Sequence, residues 1–164
     1  MSYNYHMSSA DKFSPKEVED DIPFTPKALI GSRMWKLSWN NKLESIGLGN
    51  QVWDTVVAAS CNIDSNHSAP VENCECGLYS YYFNRHHRSD AFLGFNIQGI
   101  VVGKGKIQIH EEGFRAESMQ ILALIDKNIQ GDVSSKKIAE VASSYEVPVL
   151  CSSYEVAKFV QSLT

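Results

Sequence analysis

Phe95-Asn96-Ile97-Gln98-Gly99-Ile100-Val101-Val102-Gly103, running directly into Lys104-Gly105-Lys106-Ile107-Gln108-Ile109-His110, is the clearest β signal in the chain. The β-branched centre suits a pleated, partly buried surface. From Lys104 to His110, apolar Ile107 and Ile109 alternate with polar Lys106, Gln108 and His110, the period of a strand with one covered face. Gly99, Gly103 and Gly105 predict bulges or strong bending, as where a sheet curls into a barrel.

Other segments fit the same picture. Ser32 to Trp39 is aromatic and strand-like, Asn40-Asn41 suits a turn, and Lys42 to Ile46 reads as the returning strand. Trp53 to Cys61 is β-branched at its centre and predicts another short strand. Leu78 to Phe83 and Ala116 to Ile129 fit either strand or helix, since short runs carry no decisive period. Towards the C-terminus, Ser134-Ser135 caps a helix reaching about Tyr145, with Ile138, Val141 and Ala142 on one face. Glu146 to Leu150 is a short apolar strand. Ser152-Ser153 caps a last helix in which Val156, Phe159, Val160 and Leu163 keep helical spacing. The expected fold is α+β: a curled, mostly antiparallel, barrel-like sheet with C-terminal helices packed on it.

Residues 1–26 are polar, with a charge run ending in Glu17-Val18-Glu19-Asp20-Asp21, and predict a flexible arm ahead of one globular domain over 27–164. A chain of 164 residues buries roughly 70% of its unfolded surface and needs no metal simply to collapse. A net charge of −4 disfavours bulk, nonspecific nucleic-acid binding, which depends on many Lys and Arg displacing counterions. Arg85-His86-His87-Arg88, preceded by Tyr79, Tyr81, Tyr82 and Phe83, is the densest basic stretch and reads foremost as a charged hairpin loop. No apolar run has the roughly 18–20 residues that span a bilayer, and the first residues lack signal-peptide character. The expected compartment is the cytoplasm, where four cysteines stand as reduced thiols or metal ligands.

The chemically distinctive stretch runs from Cys61 through His67 and Pro70 to Cys74-Glu75-Cys76-Gly77. Zinc takes soft or borderline donors in a tetrahedron, and Cys61, His67, Cys74 and Cys76 supply a Cys₃His set. The close pair here is C-x-C, whereas structural zinc sites favour C-x₂₋₄-C. Two other readings stay open: buried or ordinary thiols with His67 on a surface loop, or a reactive thiol whose pKa is lowered by His67 or His110. Cys151, after an apolar strand, reads as buried. A second constellation, His110-Glu111-Glu112-Gly113-Phe114-Arg115-Ala116-Glu117, follows the best strand. His110 could act as acid, base or ligand, Glu111 or Glu112 as a carboxylate partner, and Arg115 as an anion clamp. The simpler reading there is a solvated turn with Gly113 at positive φ and an Arg115–Glu117 pair. Trp35, Trp39 and Trp53 read as core or rim residues.

Gly31-Ser32-Arg33-Met34-Trp35, Trp53, Ala59-Ser60-Cys61, His67-Ser68-Ala69-Pro70, Cys74-Glu75-Cys76-Gly77-Leu78-Tyr79 and His110-Glu111-Glu112-Gly113-Phe114-Arg115-Ala116-Glu117 together resemble a family of bacterial and phage-borne proteins without an assigned activity. The resemblance spans roughly residues 31 to 150 and departs from the pattern at His67 to Pro70, one residue longer than an H-x-P form. It gives weight to these positions and supplies no function. The first functional expectation is therefore a noncatalytic binding module, with zinc as candidate cofactor, recognising a small molecule, nucleotide or protein partner through Tyr79, Tyr81, His110, Glu111 and Arg115. The alternatives are a thiol-dependent or metal-assisted hydrolase, and a structural or regulatory interaction protein of a mobile element.

Overall fold

A computed structural model of the chain describes residues 29–46, 51–83, 96–126 and 133–164. The expected N-terminal arm and the Arg85–Arg88 stretch lie outside the described residues. Among the described residues, seven strands and two helices follow in the order β1 (Leu29–Leu37), β2 (Leu43–Ser45), β3 (Val56–Ala58), β4 (Leu78–Tyr81), β5 (Asn96–Ile109), β6 (Gly113–Ile125), α1 (Ser135–Ser144), β7 (Val149–Leu150) and α2 (Ser153–Leu163). The architecture is the α+β arrangement expected, a mostly antiparallel sheet followed by two helices, and among the described residues only β6 and β7 pair in parallel. The two ambiguous segments form strands over Leu78–Tyr81 and up to Ile125, each pairing along a neighbour, and residues 127–129 lie outside the described residues.

The long strands β5 and β6 form the spine. β5 pairs β1 from Asn96 to Gly103 and β6 from Gln98 to Ile109, so one strand serves two neighbours along much of its length. β4 pairs β6 on its other edge and meets β1 at a single position, Ser32 opposite Tyr81. The sheet is therefore partly ring-like, closed at one point. Phe114, fully buried, lies where the ring tightens, and Gly31 and Gly103 leave room for its ring. At Gly113 a Cβ would fall on the Ser80 carbonyl oxygen. The restriction at Gly113 is thus close strand approach, and the positive φ expected there is found at Gly77 and Gly105 instead. Gly113→Ala should cost about 2–3 kcal/mol through overpacking against backbone, read as a lower urea midpoint at unchanged slope.

Two register shifts bend β5 against β6, one with the extra residue on β6 between Ala123 and Ile121, the other on β5 between Lys104 and Ile107. The second takes Gly105 to φ +75, and the Glu117 carboxylate accepts the Lys106 backbone N–H at 2.9 Å. This bulge interrupts the simple alternation read from Lys104 to His110. Beyond it Ile107 packs on the core as alternation implies, while Ile109 at the strand end is 47% exposed and His110, just past the strand, is 4% exposed. The same shift also places Glu117 on the bulge.

The main core gathers Trp35, Leu43, Trp53, Phe114, Met119, Ile121 and Leu124 with Ile138, Val141 and Ala142 of α1. Trp35 and Trp53 meet edge to face at 5.3 Å between centroids, an arrangement worth about 0.5–1.5 kcal/mol beyond burial. Trp39 stands apart, 96% exposed in the β1–β2 turn. Tyr145, just past α1, donates its hydroxyl to the Trp53 carbonyl at 2.7 Å and accepts from the Leu43 N–H at 2.9 Å. The two Ser caps form as expected, with Ser134 accepting from Lys137 N–H and Ser152 from Glu155 N–H. A smaller cluster of Ile100, Ala123, Ile125 and Leu150 receives the partly buried Val156, Phe159 and Val160 of α2. Leu163, at the helix end, is exposed. Cys151 is also exposed, against expectation. It follows inward-facing Leu150 across the pleat, and its N–H is taken by Glu155 at 2.6 Å. Among the described residues, no helix is long and apolar enough to cross a membrane.

Candidate metal centre

The segment between β3 and β4 is held at both ends by β6. Past β3, Ala59 N–H still donates to the Glu117 carbonyl at 2.7 Å, which fixes the chain entering Cys61. Asp64 then folds the first turn: its N–H donates to Cys61 Sγ at 3.3 Å, and its carboxylate accepts Asn66 N–H at 2.8 Å. The same carboxylate lies 3.5 Å from His67 Nδ1 and so orients the imidazole. Ala69 and Pro70, joined by a cis peptide bond, are buried under the loop. A second turn closes with Cys74 N–H on the Val71 carbonyl at 3.3 Å, and Asn73 takes φ 64. Gly77 follows at φ +117, a conformation that L side chains rarely adopt, and passes the chain into β4.

The result brings the four predicted ligands together. Sγ of Cys61, Cys74 and Cys76 and a ring nitrogen of His67 all lie within 4.8 Å of one another, and they could hold a metal ion. The Cys61 and Cys74 sulfurs are 3.7 Å apart, and His67 Nε2 is 3.3 Å from Cys76 Sγ. A tetrahedron with metal–sulfur bonds of about 2.3 Å and a metal–nitrogen bond near 2.0 Å has edges of about 3.8 and 3.5 Å. The observed separations are close to those edges. The His67 Nδ1–Asp64 pairing leaves Nε2 directed at the sulfurs, the arrangement by which a carboxylate commonly fixes the tautomer of a metal-binding histidine.

All four cysteines are free thiols, but the cluster thiols differ. The Asp64 N–H lowers the Cys61 pKa to about 7, ahead of smaller contributions from Cys74 and His67. Burial pushes the Cys76 thiol up, and neighbouring Cys74 adds to this. A lowered thiol pKa favours the folded state at high pH, and the benefit is lost as pH falls through about 7. In metal-free protein, iodoacetamide labelling of Cys61 should therefore rise with a midpoint near pH 7, with Cys76 labelling at higher pH. Peptide mapping after timed labelling at several pH values checks both.

The second constellation lies directly beneath this loop. Arg115 pairs with Tyr79 on β4 and with Gln108 on β5, so the three share one face of the sheet. Arg115 is 6% exposed and its guanidinium is widely engaged: Nη1 donates to the carbonyls of Cys74 and Cys76, Nε to His110 Nε2 at 3.1 Å, and Nη2 to Gln108 Oε1. Tyr79 donates its hydroxyl to the Glu75 carbonyl at 2.6 Å, and its ring lies 5.7 Å from the Arg115 guanidinium carbon. Three successive carbonyls, 74 to 76, are thus held by two side chains from the sheet. Burial raises the Tyr79 pKa, which keeps the hydroxyl a donor. Of the Arg115 donors, Nη1 serves the loop while Nε and Nη2 bond within the sheet, and Glu117 lies on the bulge, its carboxylate accepting the Lys106 N–H. Tyr81, half-buried, continues the Tyr79 face opposite Gly113, while Glu111 and Glu112 are exposed in the β5–β6 turn.

Arg33 is the residue that sequence reasoning passed over except within the resemblance pattern. It donates to the Tyr79 carbonyl and to Ser45 Oγ, and its guanidinium stacks 4.4 Å from the Trp53 ring centroid. Desolvation lowers its pKa to about 10, so it remains cationic at neutral pH. An arginine two positions before a core tryptophan in a strand, on the same face by alternation, is the signal that marks it. No family model, curated protein or solved structure matches the chain.

Proposed function

We propose that Cys61, His67, Cys74 and Cys76 form a structural zinc site, and that the domain is a noncatalytic binding module whose β4–β6 face and loop the metal holds in shape. The convergence of four donor atoms within 4.8 Å carries this reading. Four protein donors complete the tetrahedron, whereas catalytic zinc keeps a position open for water or substrate. Three thiolates and a neutral histidine around a divalent ion carry a formal charge of about −1, and the Arg115 guanidinium below the loop is placed to offset it. The exposed parts of Tyr79, Tyr81 and Glu111 remain the candidate surface for a small molecule, nucleotide or protein partner. A reducing cytoplasm would keep the thiols available to the metal.

Metal content of untagged, purified protein tests the reading. The expected outcome is close to one zinc per chain, lost in Cys74→Ser and in Cys76→Ser; metal-free protein with four freely titrating thiols would contradict it. A thiol-dependent hydrolase is the second reading, and the lowered pKa of Cys61 favours it. The two separate cleanly, because in a hydrolase Cys61→Ala abolishes turnover while leaving the fold and the loop intact.

A further inference from the structure

Resting on the zinc reading, we propose that the cluster is also an oxidation site, in which Cys61 and Cys74 close a disulfide and the metal is released. The geometry of the loop points to this pair. Their sulfurs lie 3.7 Å apart, in residues thirteen positions apart in the chain, so only a modest approach separates contact from a bond of about 2.05 Å. Cys74 and Cys76 are divided by one residue, and the short link disfavours bridge geometry. The Cys76 thiol, which also neighbours Cys74, is engaged by His67 Nε2 at 3.3 Å. Both Cys61 and Cys74 are partly accessible to solvent, so a small oxidant reaches them without unfolding the core.

The oxidant is a hydroperoxide. One thiolate attacks the peroxide oxygen, the O–O bond breaks, and a sulfenic acid forms with release of hydroxide or alkoxide. The second thiolate then attacks that sulfur, the S–O bond breaks, and hydroxide leaves. Two electrons pass from two thiolates to the peroxide, and two protons from solvent complete two water molecules when hydrogen peroxide is used. Cys76 and His67 remain as donors, too few for a tetrahedral zinc site. The loop carbonyls of Cys74 and Cys76 that Arg115 holds are carried with the moving segment. The consequence is a change in the face formed by Tyr79 and Arg115, which reduction by a dithiol and added zinc reverses.

The test uses zinc-loaded, full-length protein and hydrogen peroxide added in small molar excess. A chromogenic chelator should report about one zinc released per chain, and non-reducing peptide mapping should find Cys61 joined to Cys74. Dithiothreitol and zinc should restore the starting metal content. Cys151→Ser, outside the cluster, should behave as the parent. Zinc retained under peroxide, or released with Cys74 joined to Cys76 or with sulfinic acid in place of a disulfide, would overturn the proposal. If the protein binds no zinc, the structural zinc reading fails separately. Peptide mapping of the peroxide-treated apo-protein then still tests the Cys61–Cys74 pairing.

Discussion

Removing zinc with a strong chelator should lower the midpoint of thermal unfolding by roughly 8–16 °C, while strand content at room temperature stays largely intact. The size follows from mass action: a ligand present at a thousand times its Kd stabilises the native state by about 4.1 kcal/mol. For a domain of this size, each kcal/mol moves the midpoint by about 2–4 °C. The chain has a core independent of the loop, built on Trp35, Trp53 and Phe114 and closed by α1, so metal loss should loosen the Cys61–Cys76 segment without unfolding the domain. Cys74→Ser should reproduce the effect without chelator, and Cys151→Ser should leave the midpoint within about 1 °C, as surface substitutions usually do. Differential scanning calorimetry with and without chelator, on parent and both variants, reads all three.

Arg115→Ala should cost about 3 kcal/mol and weaken zinc binding by about 10–100-fold. Loss of the guanidinium leaves the carbonyls of Cys74 and Cys76, the Gln108 amide oxygen and His110 Nε2 without their present donor, and each buried orphan costs about 1–3 kcal/mol before the loop relaxes. The affinity loss is the scale seen when groups supporting metal ligands are removed. Arg115→Lys should recover little of either, because a single ammonium cannot span donors aimed at two carbonyls, an amide and an imidazole. Urea unfolding and competition with a zinc indicator measure the two effects. Unchanged zinc affinity with lowered stability would make Arg115 a core residue alone.

Much of the architecture was written in local pattern. The β-branched run through Val101 and Val102, the Asn40-Asn41 turn and the two serine caps each act over a few residues, and each appears where expected. The four side chains that come together in the cluster were also legible, because thiols and an imidazole in one polar loop are few and chemically conspicuous. What pattern could not supply was long-range partnership. Ile109 is exposed as the last residue of β5, and His110 is buried just past the strand, where it accepts from Arg115 of the strand opposite. Arg115 looked like a surface cation because charged residues are usually exposed, and its burial rests on Gln108, His110 and loop carbonyls from about forty positions earlier. Cys151 looked buried because it follows an apolar run, but it comes just past the two-residue strand, on the far side of the pleat from buried Leu150. Tyr145 fastens Leu43 to Trp53 across about a hundred positions, a separation at which composition and periodicity carry no information.

X-ray absorption at the zinc edge of the loaded protein tests the central claim most directly, because it counts donors by element. The account predicts three sulfurs at about 2.3 Å and one nitrogen at about 2.0–2.1 Å, with one sulfur lost in Cys61→Ser. A shell of mainly oxygen and nitrogen, or a sulfur count unchanged by that substitution, would contradict it.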